Sequence, residues 1–111
     1  MNIDREIAEK VMGYCERPVH GIGWWHQAEE NRWSVAQYSW HPSTDIKQSF
    51  EVVEKMRERG WLLDKLTNIC VRKHYWQASF WKAVVWENTY GNADTPAMAV
   101  CLAALKAMED K

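Results

Sequence analysis

Several things are scarce in this sequence, and each scarcity closes off a class of protein. It holds three cysteines, Cys15, Cys70 and Cys101. An odd, widely spaced set makes no disulfide framework, so reduced thiols are expected. There is no C-x-x-C pair and no H-E-x-x-H run, the spacings that standard zinc sites use. No apolar run approaches the ~20 residues that cross a bilayer. The opening MNIDREIAEK is charged where a secretory signal would carry its apolar core. A cytoplasmic protein away from the membrane is therefore expected. An excess of charge of either sign is also lacking, with a formal net charge of −1. No basic excess grips phosphate backbones and no acidic excess mimics them, so sequence-specific nucleic-acid binding is not expected. Glycine and proline are absent from residues 61–90.

What the chain has in plenty is tryptophan. Trp24, Trp25, Trp33, Trp40, Trp61, Trp76, Trp81 and Trp86 make eight in 111 residues. Each ring buries roughly 200 Å². A single domain of this size can hide four or five of them. The others are expected at the surface, in a groove or in a subunit interface.

The clearest local object is the stretch 43–61, STDIKQSFEVVEKMRERGW. Ser43 suits an N-cap, and Asp45 places negative charge at the positive end of the helix dipole. Ile46, Phe50, Val53 and Met56, with Val52 beside them, line one side of a helix. Gly60 suits the left-handed residue that ends it. A shorter helix is predicted over 3–13, with Asp4 as its cap and Gly13 as its stop. Thr95 and Pro96 open a third helix over 95–111, whose run AMAVCLAALKAM is apolar almost all round. Alanine on several sides allows close approach of a neighbouring backbone.

Strands are predicted between the second and third helices. Residues 61–66 suit one, with a turn beginning at Thr67 and Asn68. Residues 71–80 alternate as a second, and 83–86 are apolar on both parities, as for a strand covered on both faces. Residues 88–93 and 14–23 read as loops from their glycine, proline and asparagine content. Residues 24–40 leave two readings open: a hairpin turning at 29–32, or a loop packed down by its aromatic rings.

Three segments carry a resemblance to a known family: DREIAEKVMG near the start, STDIKQSFEVVEKMRERG in the middle and ADTPAMAVCLAALKAMED at the end. Together they resemble the phage ABA sandwich domain family, small proteins of phages and prophages. The resemblance implies an α+β fold, an α–β–α sandwich in which a small antiparallel sheet of about three or more strands packs between helices. It implies no catalytic residue set.

The residues that could carry chemistry fall into three groups. Cys15, His20, His26 and His41 share the irregular N-terminal part, but their spacing fits no metal pattern, and no metal or cofactor is expected. Cys70 and His74 form a nucleophile and base only if the fold joins them. On one strand they would stand about 13 Å apart. Lacking such a constellation, the chain reads as a non-enzymatic protein. The third group offers non-covalent binding. Trp24, Trp25, Trp33 and Trp40 interleave with His20, His26, Arg32 and His41, and Arg72, Lys73, Tyr75 and Trp76 repeat the mixture. Flat π faces beside cations suit a nucleotide-like small molecule, because bases stack on rings and phosphates pair with cations. In a phage protein such a site would suit sequestration of a nucleotide-derived host defence signal. The alternative is an oligomeric module, a homo-oligomer or a binder of a host or phage protein, using the surplus indoles and the apolar last helix as its contact surface.

Overall fold

The computed structural model describes residues 2–27 and 32–109. Helix α1 (Ile3–Glu6) runs on into a π-helical stretch, Ile7–Val11. Strands β1 (Tyr14–Val19), β2 (Ile22–Gln27) and β3 (Arg32–Ala36) follow, then a 3-10 turn at Gln37–Ser39 and helix α2 (Ile46–Glu58). Strands β4 (Leu62–Cys70), β5 (His74–Lys82) and β6 (Glu87–Ala93) lead into helix α3 (Pro96–Glu109). The strands form two antiparallel three-stranded sheets, ordered β1-β2-β3 and β4-β5-β6. The fold is α+β with helices packed on sheet, as in an ABA sandwich.

Helix α3 is the element around which the chain packs. Ala97, Ala99, Val100, Cys101, Ala103, Ala104, Leu105 and Ala107 are all buried, which places buried positions on nearly every side of it. It lies against β5 and β6 on one side and against α2 and the π-helical stretch on another. The contact with β6 is backbone to backbone. A Cβ built on Gly91 would stand 2.4 Å from both Ala103 N and Ala99 O. Two residues back along the strand, on the same face, Thr89 Oγ1 donates to Ala103 O at 3.2 Å. The alanines expected to permit close approach do so here.

Helix α2 begins later than its sequence suggests. Asp45, not Ser43, is the N-cap, and its carboxylate accepts from Lys47 N at 2.9 Å and Gln48 N at 3.3 Å. The Ser43 N–H is taken up by Asp4 Oδ1 at 2.9 Å. Asp4 is therefore committed to this long-range bond, and Asn2 caps α1 in its place. The buried side of α2 is Ser49, Val52 and Met56, while Ile46 and Phe50 remain 43% exposed each. The helix ends as a Schellman motif: Trp61 N donates to Met56 O and Gly60 N to Arg57 O, with Gly60 at φ +91. Trp61 and Met56, the residues that such a motif brings together, are both buried.

The strand boundaries depart furthest from the sequence reading. Residues 14–23 are not a loop. Val19 pairs with Ile22 across a two-residue turn, His20–Gly21, whose φ values of +52 and +78 match the twist of a tight hairpin. Pro18 is accommodated because β1 is an edge strand. Of the two readings of 24–40, antiparallel pairing of β2 with β3 supports the hairpin; most of its turn lies outside the described residues. Thr67 and Asn68 lie inside β4, and the turn falls at 71–73. Residues 83–86 form an exposed hairpin tip instead of a covered strand, and 87–93, read largely as loop, form edge strand β6.

Gly91→Ala tests the central contact. The clashing atoms are backbone, so the helix or strand must shift, and overpacking of this kind costs about 1–3 kcal/mol. The urea unfolding midpoint is expected to fall accordingly; an unchanged midpoint would mean that β6 and α3 are not so closely apposed.

Candidate functional site

Residues paired directly across antiparallel strands share a face, so the register sorts the β4-β5-β6 sheet into two sides. Phe80 with Leu63 and Thr89, Ala78 with Leu66 and Gly91, and Trp76 with Asn68 and Ala93 form the side turned to α3. Tyr75 with Ile69, Gln77 with Thr67 and Asn92, Ser79 with Lys65 and Tyr90, and Trp81 with Leu62 and Asn88 form the outer side. This outer side is polar and aromatic. Its amides are held in place: Gln77 Nε2 donates to Asn92 Oδ1 at 3.1 Å, and Asn88 Nδ2 to Ser79 Oγ at 3.2 Å. At one end lies a recess of about 290 Å³ lined by Lys73, Tyr75, Asn92, Ala93 and Asp94. That is close to the lower limit of ordinary small-ligand sites, roughly 300 Å³.

The sequence-selected residues do not converge on one place. Lys73, with its neighbour Tyr75, lines the recess, and Arg72 lies in the same exposed turn. Trp76 is on the opposite side of the sheet, half-buried against the core. Trp25 and Trp40 belong to the core cluster. Trp40 Nε1 donates to Asp4 O at 2.9 Å and its ring meets Tyr14 edge-on. The Arg5 guanidinium lies 5.5 Å from the Trp25 ring centroid and also pairs with Glu16. With Asn2, Asp4 and Gln37, these side chains line a narrow recess of about 130 Å³. His26 is buried and Trp24 half-buried, while exposed His41 donates its N–H to Gln48 Oε1 at 2.7 Å. The side chains of Arg32 and Trp33 lie outside the description.

The family model of the phage ABA sandwich domain matches residues 5–105. The chain belongs to the phage ABA sandwich domain family. No match exists among curated proteins or solved structures. Family membership thus makes this a phage-associated domain, and the geometry of this member is the remaining guide to its site. Among the described residues of the domain, no group of three or more His, Cys, Asp or Glu side chains stands together as a metal would need. No described helix is long and apolar enough to cross a membrane.

Residues 88–93, set aside by composition, contribute Asn92 and Tyr90 to the outer face. Their signal was the alternation of Asn88, Tyr90 and Asn92 with Thr89 and Gly91, hidden by the low strand propensity of Asn and Gly. The distance estimate for Cys70 and His74 also fails. The two residues flank the β4–β5 turn as cross-strand partners, and Cys70 Sγ lies 3.3 Å from His74 Nε2.

Cys101 is chemically opposite. Burial, with a smaller contribution from Asp4, pushes its thiol up to about 12. The unfolded thiol ionises near ~8.5, so the unfolded chain loses this proton first. The stabilising contribution is complete below that pH and is lost as pH rises toward the folded value. Urea midpoints at about pH 8 and about pH 10.5 are expected to differ more for the wild type than for Cys101→Ala. Equal pH dependence in the two proteins would contradict the assignment.

Proposed function

We propose that this phage ABA sandwich domain acts by non-covalent binding of a nucleotide-like small molecule at the outer end of the β4-β5-β6 sheet. The observation that carries the reading is the meeting of Lys73, Tyr75, Asn92 and Asp94 around one recess. Each supplies what one part of such a ligand needs. The Lys73 ammonium is a point charge for phosphate. The Tyr75 ring is a stacking surface for a base. The Asn92 amide, oriented by Gln77, reads a base edge, and the Asp94 carboxylate accepts from a ribose hydroxyl or exocyclic amine. Asp94 also repels phosphate, which directs that group toward Lys73. The volume favours a mononucleotide or a compact cyclic nucleotide over a longer oligonucleotide. In an infected host cytoplasm, a site of this kind would serve to sequester a nucleotide-derived defence signal.

A second reading is favoured by the β5–β6 hairpin tip. Val84 is 88% and Trp86 81% exposed, and Trp86 holds φ +54, an uncommon backbone state for a bulky residue. Trp86 stacks edge-on against Trp81 at 5.6 Å, which extends an apolar surface from the tip onto the outer face. That surface supports an oligomeric or protein-binding module, at the end of the sheet opposite the recess.

Isothermal titration with a panel of mononucleotides and cyclic nucleotides tests the first reading. Saturable binding is expected for at least one member, weakened about tenfold or more by Lys73→Glu, since loss of a phosphate ion pair costs at least ~1.4 kcal/mol. A flat response across the panel would refute it. Sedimentation velocity at two concentrations, with Trp86→Ala as comparison, tests the second.

A further inference from the structure

The β4–β5 turn joins two groups whose chemistry is separate from the recess. Cys70 ends β4, His74 begins β5, and both are exposed. Their register brings Sγ and Nε2 to 3.3 Å, within hydrogen-bond reach for sulfur. The intervening turn carries Arg72 and Lys73, both exposed cations. A thiol with a base in contact, cations alongside and open access is the environment in which thiolates form and react. The other two thiols differ. Cys101 is buried in the core, and Cys15 lies exposed in the other sheet.

We propose that Cys70 is a thiol–disulfide exchange site for low-molecular-weight disulfides, with His74 as the base that takes and returns its proton. His74 Nε2 accepts the proton of Cys70 Sγ–H. The thiolate attacks one sulfur of the incoming disulfide, forming a new S–S bond as the old one breaks. The departing thiolate takes the proton from His74. One disulfide is consumed, one mixed disulfide and one free thiol are produced, and no outside oxidant or reductant enters. The hairpin is a rigid frame for this chemistry, because the β4–β5 ladder continues from Cys70–His74 through Ile69–Tyr75 and Asn68–Trp76. A solvent-open turn also leaves space for the adduct. The inference rests on the Cys70–His74 contact and the exposed turn around it, and does not require nucleotide binding.

Incubation of the full chain with glutathione disulfide, followed by peptide mass mapping over time, provides the test. Cys70 is expected to form the mixed disulfide faster than Cys15, with Cys101 unmodified. His74→Asn is expected to slow Cys70 about tenfold or more while leaving Cys15 unchanged, a modest share of what a positioned base contributes. An equal Cys70 rate in the two proteins would overturn the proposal. If the variant exposes Cys101, and so has lost its fold, the wild type alone decides. Unfolding in urea separates the pair, so the Cys70 rate is expected to fall on unfolding, whereas an ordinary surface thiol keeps or gains reactivity. A rate that holds or rises would overturn the proposal.

Discussion

The close approach of α3 to β6 is the constraint on which the rest of the molecule depends. Gly91 has no side chain, and Ala99 and Ala103 have almost none, so two backbones meet where side chains would ordinarily hold them apart. Close-packed interiors tolerate neither gaps nor added methyl groups at such a place. The contact fixes β6 on the sheet, and β6 in turn fixes β5 and β4 through their ladders. On its other side, α3 supports α2 and the π-helical stretch. Arg59 at the end of α2 then donates Nε–H to Val11 O at 3.0 Å, which ties those two elements together.

This arrangement divides the sheet by function. The side facing α3 is occupied with packing: Phe80, Ala78 and Trp76 fill it, and Thr89 spends its hydroxyl on the helix backbone. The outer side is free of that duty, which is why it can carry amides and tyrosines, of which Asn92 and Tyr75 line the recess with Lys73. The tryptophans divide in a similar way. Trp25, Trp40 and Trp61 are buried, Trp24, Trp76 and Trp81 are half-buried, and Trp86 stands out from a hairpin tip. The expectation that a small interior cannot hide every indole holds for the described rings. Among the described indoles the most exposed, Trp86, belongs to a turn, outside the aromatic N-terminal stretch where a binding surface was expected.

The helices were legible because their signals are local. Thr95 and Pro96 open α3, with Met98 N donating to Thr95 Oγ1 at 3.3 Å, and Gly13 and Gly60 hold positive φ where helices stop. A cap choice such as Asp45 over Ser43 was not legible, because it depends on Asp4, some 40 residues away, claiming the Ser43 N–H. The strands were harder for a physical reason. Their propensity depends on neighbours across the ladder and on burial, not on the residue alone. Val84 and Val85 look like strand and form a turn, whereas Asn88, Gly91 and Asn92 look like loop and form a strand.

The sequence by itself determined the family, the α+β class, three helices near their true positions and an alanine-rich helix suited to close contact. It also picked out Lys73 and Tyr75 as a cation beside a ring. Only the tertiary structure decided that Asn92 and Asp94 join them, that Trp25 and Trp40 serve the core, and that Cys70 touches His74. Helix periodicity and caps are written within a few residues of one another. Which strand pairs with which, and in what register, is settled by contacts between distant segments, and a shift of one residue moves every side chain to the opposite face.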